Sequence, residues 1–249
     1  MFGAAGRMGR TVCEAVAGDP ALELVAAVDP GQPGLEVHGV TVAGGPEALT
    51  AAGAAVAVDF TEARAARSNL DWCAGHGVHA VVGTTGLSED DFAHLRERFT
   101  DLGCLVAPNF AIGAVLMMRF AELAAPWFET AEIIELHHDA KVDAPSGTAI
   151  ATARRMASAS SDWGPDPTTV RVIDGARGGS GPAGIPIHSV RLRGLVAHQE
   201  VLLGTTGQLL TLRHDSMDRT SFMPGVLLAV KAVADLPGVT VGLDRILGF

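Results

Sequence analysis

The chain has 249 residues, 48% hydrophobic and 18% charged, which is enough apolar content for a buried core and too much for a disordered chain. Its net charge of −10 lacks the basic excess of a nucleic-acid binder, and no long uncharged apolar run marks a membrane span. Cys13, Cys73 and Cys104 stand apart without metal-ligand spacing, so a cytoplasmic protein with buried thiols and no structural metal is expected.

The chain opens with MFGAAGRMGR, in which Gly3, Gly6 and Gly9 have the spacing of a dinucleotide-binding turn. GRMGRTVCEAVAG reads as a helix with Met8, Val12, Ala15 and Val16 on one face and Gly18 closing it. ALELVAAVD follows as a strand ending in Asp29, and AAVAVDFT as a second strand, with a helix from Glu62 to Cys73. VHAVVGTTG is a third strand running into a glycine turn. SEDDFAHLRERF is a helix capped by Ser88, and CLVAPNF is a fourth strand. Apolar strands alternating with helices imply a doubly wound, Rossmann-type parallel sheet, whose ligands sit at the carboxyl ends of the strands. Those ends read Asp29, Asp59-Phe60-Thr61, Gly83-Thr84-Thr85 and Ala107-Pro108-Asn109-Phe110.

Beyond about residue 110 the pattern changes. A helix over AIGAVLMMRFAELAAPWF leads to the strand AEIIELHHDA, and an alanine-rich helix reaches about Ala159. A polar, glycine-rich loop covers Ser160 to Ile185. IHSVRLRG, AHQEVLLGT and QLLTLRHDS alternate in period two, as antiparallel or mixed sheets do, and MPGVLLAVKAVADL is a final amphipathic helix. The expected fold class is α/β, with a second α+β domain. Residues 1–108 and 218–249 form the dinucleotide-binding domain, and 109–217 the substrate-binding and oligomerisation domain.

Two groups of residues carry chemistry. Asp29 stands 20 residues after Gly9 at a strand end, where an acid binds ribose hydroxyls and repels a 2′-phosphate. The expected cofactor is NADH or NADPH, with a lean to NADH or dual use. The chain has no tyrosine, which excludes a tyrosine–lysine dehydrogenase mechanism. The second group is His137, His138, Lys141 and Asp143, followed by a helix opening at Pro145-Ser146-Gly147-Thr148. Two imidazoles, an ammonium and a helix N-terminus suit a small anion, most naturally a carboxylate. A hydrogen-bonded structural role for the histidines, or a metal between them, are the competing readings, and Lys141 disfavours the metal.

HHDAKVDAPSGTA over His137–Ala149, with GAAGRMG, VDFT, VVGTTG, APNFAIG and RHDSMDRTSF in the same order, resembles the 4-hydroxy-tetrahydrodipicolinate (dihydrodipicolinate) reductase family, in its shorter actinobacterial form. The resemblance spans the whole chain. It implies NAD(P)H-dependent reduction of 4-hydroxy-tetrahydrodipicolinate to tetrahydrodipicolinate, with loss of water, in lysine and diaminopimelate synthesis. It implies His137 as proton donor or acceptor, Lys141 as proton donor, and substrate contacts from His138, Gly147 and Thr148. It places the cofactor along Gly3, Ala4, Ala5, Gly6, Arg7, Met8, Asp29, Gly83–Thr85 and Ala107–Phe110, and implies a homotetramer joined through the second domain's sheets. The substrate is a small dicarboxylate, with no nucleic acid or membrane as partner. Family members carry roughly five more apolar residues before the first glycine, a full strand's length. A truncated first strand is therefore expected here, from a downstream-assigned start or a trimmed chain. Other two-domain dehydrogenases acting on homoserine or amino acids, and a catalytically impaired paralogue or nucleotide sensor of the same fold, are the alternatives.

Overall fold

The structure, a computed structural model, describes residues 1–249. It divides into two compact units, Met1–Ala111 with Arg219–Phe249, and Ile112–Asp218. In chain order the first unit contains α1 (Arg7–Gly18), β1 (Ala27–Val28), β2 (Glu36–Val37), β3 (Val40–Ala43), α2 (Glu47–Ala51), β4 (Val56–Asp59), α3 (Ala63–Gly75), β5 (His79–Val82), α4 (Glu89–Arg98) and β6 (Gly103–Val106). The second holds α5 (Ile112–Ala124), β7 (Thr130–His137), α6 (Gly147–Ala159), β8 (Gly179–Ser180), β9 (Pro186–Arg191), β10 (Ala197–Thr205) and β11 (Gln208–Ser216). The chain then returns to the first unit with α7 (Met223–Ala232), β12 (Gly238–Val241) and α8 (Asp244–Leu247). No helix is long and apolar enough to cross a membrane.

Unit 1 is a Rossmann-type sheet in two pieces, β1-β3-β2 and β12-β6-β5-β4, and every pair is parallel except β2 with β3. Phe2 bridges them, lying parallel to Val28 on one side and Asp59 on the other. Its N–H donates to the Val58 carbonyl at 2.9 Å, and the Val28 N–H donates to the Met1 carbonyl at 2.8 Å. Strand order therefore reverses at Phe2, the place where open α/β sheets bind ligands. Beside this bridge a cavity of about 290 Å³ separates Leu22–Val25 from Ala54–Val56. Phe2, Val28, Leu70, Val82, Phe99 and Val106 form the core.

Four expectations are corrected here. ALELVAAVD is a strand only at Ala27–Val28, where the backbone pairs with Val42 and Ala43 of β3. The buried face of α1 is Gly9, Val12, Cys13 and Val16, so Met8 and Ala15 sit at its margin. The chain does not end in the helix of MPGVLLAVKAVADL, since β12 and α8 follow, with β12 parallel to β6. The loop from Ser160 to Ile185 contains the short strand β8 and a 3₁₀ turn at Pro182–Gly184.

In unit 2 the sheet order is β11-β10-β7-β9-β8. It is mixed, since β7 and β9 run parallel while the other pairs are antiparallel. A period-two pattern shows which side chains share a face and leaves the direction of the neighbouring strand open. Met117 and Ala121 of α5 and Ala149, Ala153 and Met156 of α6 pack with Ala131, Ile133, Val201 and Leu203 of the sheet in one apolar cluster.

Candidate functional site

The candidate residues lie in two places. In unit 1, Gly3 turns the chain with φ of +72°, a left-handed conformation that glycine adopts without strain. A β-carbon on Gly9 would stand 1.9 Å from the Gly3 carbonyl oxygen, so only glycine lets α1 start against the turn. Gly6 is the N-cap and offers no side chain to the first-turn N–H groups of α1, which leaves a dipolar helix end suited to phosphate. Asp29 accepts from the Ala5 N–H at 3.1 Å and the Gly31 N–H at 3.0 Å, tying the glycine turn to the end of β1. Gly3, Gly6 and Asp29 wall a cavity of about 310 Å³ together with Phe60, Thr61 and Asn69.

Gly83–Thr85 and Ala107–Phe110 follow β5 and β6 and are not walls of that cavity. Asp59 organises the first of these loops. Its buried carboxylate accepts from the hydroxyls of Thr61 and Thr84, both at 2.7 Å, from the Thr61 N–H at 2.9 Å, and from Asn69 Nδ2 at 2.7 Å. A β-carbon on Gly83 would meet the Phe60 ring at 2.1 Å, and that ring stacks tilted on Phe110 with centroids 5.6 Å apart. The sequence presents Asp59 only as part of a strand end; the carboxylate closing an apolar run two residues before Thr61 is the visible sign of such a role, while Thr84 lies 25 residues away.

In unit 2, β7 ends at His137, and His138, Lys141 and Asp143 lie on the loop before α6. His137 is half-buried and its Nδ1 lies 2.5 Å from Glu135 Oε2, while His138 is exposed. Lys141 Nζ makes two 2.7 Å contacts to the exposed Asp143 carboxylate. Lys141 holds that carboxyl below its usual pKa. Ser146 caps α6 by accepting from the Ala149 N–H at 3.2 Å. Nothing would lie within 4 Å of a β-carbon on the exposed Gly147, so the helix start opens to solvent next to Thr148.

Two further residues support this segment, Glu135 and Arg191. Glu135 has no exposed surface, and it accepts from Arg191 Nη1 at 3.0 Å, Arg191 Nη2 at 2.9 Å and the Ser146 N–H at 3.3 Å. Burial alone would raise its pKa. The hydrogen bonds from His137, Arg191 and Ser189 overcome this and hold it at about 2. Arg191 Nη2 also donates to the Asp143 carbonyl at 2.6 Å, fastening the loop that carries Lys141. The other basic residues of the sheet pair elsewhere: Arg193 with Asp139, and His198 and Arg213 with Asp215. No group of three acidic, histidine or cysteine side chains is placed to hold a metal ion.

Comparison with known proteins gives a consistent result. Residues 1–110 match the model described as dihydrodipicolinate reductase, N-terminus, and residues 113–247 the one described as its C-terminus. A curated 4-hydroxy-tetrahydrodipicolinate reductase of Cutibacterium acnes is 52% identical over 255 residues, covering 100% of this chain and 97% of its own length. The Streptomyces coelicolor protein of that name is 48% identical over 253 residues, covering 99% and 96%. Dipicolinate-bound dihydrodipicolinate reductase from Paenisporosarcina sp. TG-14 superposes with a TM-score of 0.86 at 41% identity, covering 98% and 97%. An amine dehydrogenase from Mycobacterium smegmatis shares the fold, with a TM-score of 0.62 at 14% identity, covering 94% and 91%.

Proposed function

The chain belongs to the dihydrodipicolinate reductase family, and on that premise we propose that it reduces 4-hydroxy-tetrahydrodipicolinate to tetrahydrodipicolinate with NADH or NADPH, losing water. The observation that carries the reading is the stretch from His137 to Thr148, which puts an imidazole, an ammonium and an open helix N-terminus on one short segment. These are the groups a dicarboxylate undergoing reduction and protonation requires.

When bound, the reduced nicotinamide supplies the hydride. Gly3, Ala4, Ala5, Gly6, Arg7 and Met8 would hold the cofactor at the start of α1, and Asp29 would take ribose hydroxyls, which favours NADH or dual use. Gly83–Thr85 and Ala107–Phe110 complete the floor. His137 gives a proton to the enamine-like anion left by reduction. Lys141 acts as proton donor and neutralises a substrate carboxylate, which competes with Asp143 for its ammonium. His138, Gly147 and Thr148 contact the substrate, the last two through the start of α6. The protein is cytoplasmic, in keeping with its three unpaired buried cysteines, and assembles as a homotetramer through unit 2. Exposed Leu209 of β11 supplies apolar surface for that contact through the sheet.

The test is steady-state turnover of His137→Ala and Lys141→Ala, with fluorescence titration of NADH and pyridine-2,6-dicarboxylate. The expected result is a loss of turnover on the order of 10²-fold or more in each variant, with NADH binding retained. Turnover within a few-fold of the parent in both would overturn the mechanism.

A further inference from the structure

We propose that Glu135 is a positioning residue for this reaction: its buried carboxylate keeps the proton of His137 on Nδ1, so that Nε2 is the nitrogen that exchanges a proton with substrate. The inference rests on the role given to His137 above. Glu135 occupies the third buried position of β7, after Ala131 and Ile133, on the face that packs against α5 and α6. An apolar side chain would satisfy the core there, and a charge survives burial only when fully paired.

The pairing of Glu135 exceeds what a structural ion pair needs. Arg191 engages both oxygens, His137 Nδ1 reaches Oε2 and the Ser146 N–H reaches Oε1, and Ser189 adds a further hydrogen bond to the carboxylate. An ionised carboxylate accepts hydrogen bonds and cannot donate, so the nitrogen facing it must carry hydrogen. The other ring nitrogen is then the only one free to take or give a proton in the neutral ring. Through Ser146 the same carboxylate fixes the N-cap of α6, and through Arg191 it shares a partner with the Asp143 carbonyl. One buried group thus sets the protonation of the histidine together with the placement of the anion-binding helix start.

Glu135→Gln keeps the shape and replaces one acceptor oxygen with an NH₂ group. The amide then faces either Arg191 and His137, or Arg191 and Ser146, with a donor. The experiment reads the His137 ring tautomer by ¹⁵N NMR in the ligand-free full chain at alkaline pH, and kcat and KM in parent and variant. The parent should show the Nδ1-protonated tautomer, and Glu135→Gln should lose that preference. In the variant kcat should fall on the order of 10²-fold while KM stays within about threefold. Nε2 protonation in the parent overturns the proposal even if the variant fails to fold. So does a variant whose tautomer or kcat matches the parent. A His137→Ala variant with parental turnover would instead remove His137 from the chemistry, an outcome separate from where the ring proton sits.

Discussion

Gly9 shows how a single atom decides a site. Its missing β-carbon would fall 1.9 Å from the Gly3 carbonyl, so Gly9→Ala must push α1 off the turn. The expected cost is about 1–3 kcal/mol of stability by urea unfolding, with NADH affinity lowered about tenfold or more. Pyridine-2,6-dicarboxylate binding should be unchanged, and equal losses for both ligands would count against the assignment of the turn to the nucleotide. Glu135 makes a second prediction through pH. Its folded-state pKa of about 2 lies below the ordinary 4.5, so its stabilising effect is present above pH 4.5 and lost as pH falls toward 2. The urea midpoint of the parent should therefore drop across that window, by on the order of 3 kcal/mol in stability, and Glu135→Gln should flatten this component. A charge in period-two register with Ala131 and Ile133 was visible in the sequence. What a single sequence hides is that Arg191 and Ser146, 56 and 11 residues away, meet it.

At the scale of elements, local signals were strong where local physics decides. Ser88 was legible as an N-cap and forms a capping box with Asp91, and Ser146 caps α6. Strand β1 was overread because a strand exists only where partners continue, and apolar composition alone cannot supply them. Strand β12 was missed because GVTV is short and its pairing with β6 joins residues far apart in sequence. The parallel pairing of β7 with β9 was likewise invisible to periodicity. Asp59 binds three elements together, the end of β4, Asn69 of α3 and Thr84 after β5. Asp59→Ala strands these donors in a buried place and should cost about 3 kcal/mol or more, read as a lower urea midpoint. A variant as stable as the parent would show that water replaces the carboxylate.

For the whole molecule, the acidic, apolar composition pointed to an ordinary folded protein without a nucleic-acid partner, and the segment His137–Ala149 carried its family and its chemistry. The thiols follow from the core. Burial pushes Cys73 and Cys104 up to about 12 and raises Cys13, so all three should resist alkylation by iodoacetamide at pH 8 until the protein is unfolded. Rapid modification of the native protein would mean that the unit 1 core opens readily.

The bridge at Phe2 carries that last question further. The two pieces of the unit 1 sheet are stitched by the short segment Met1–Ala4, and the same few amides, those of Phe2, Gly3, Ala4 and Val28, both close the seam and shape the glycine turn. In a ladder of many rungs the failure of one is masked by the rest, whereas here a single breathing event unlatches the strands and the turn together. In deuterated solvent these four amides should exchange as one group, well ahead of those in β5 and β6. Nucleotide that grips the turn would then slow exchange across the seam, so that ligand closes the sheet as much as the sheet presents the ligand site.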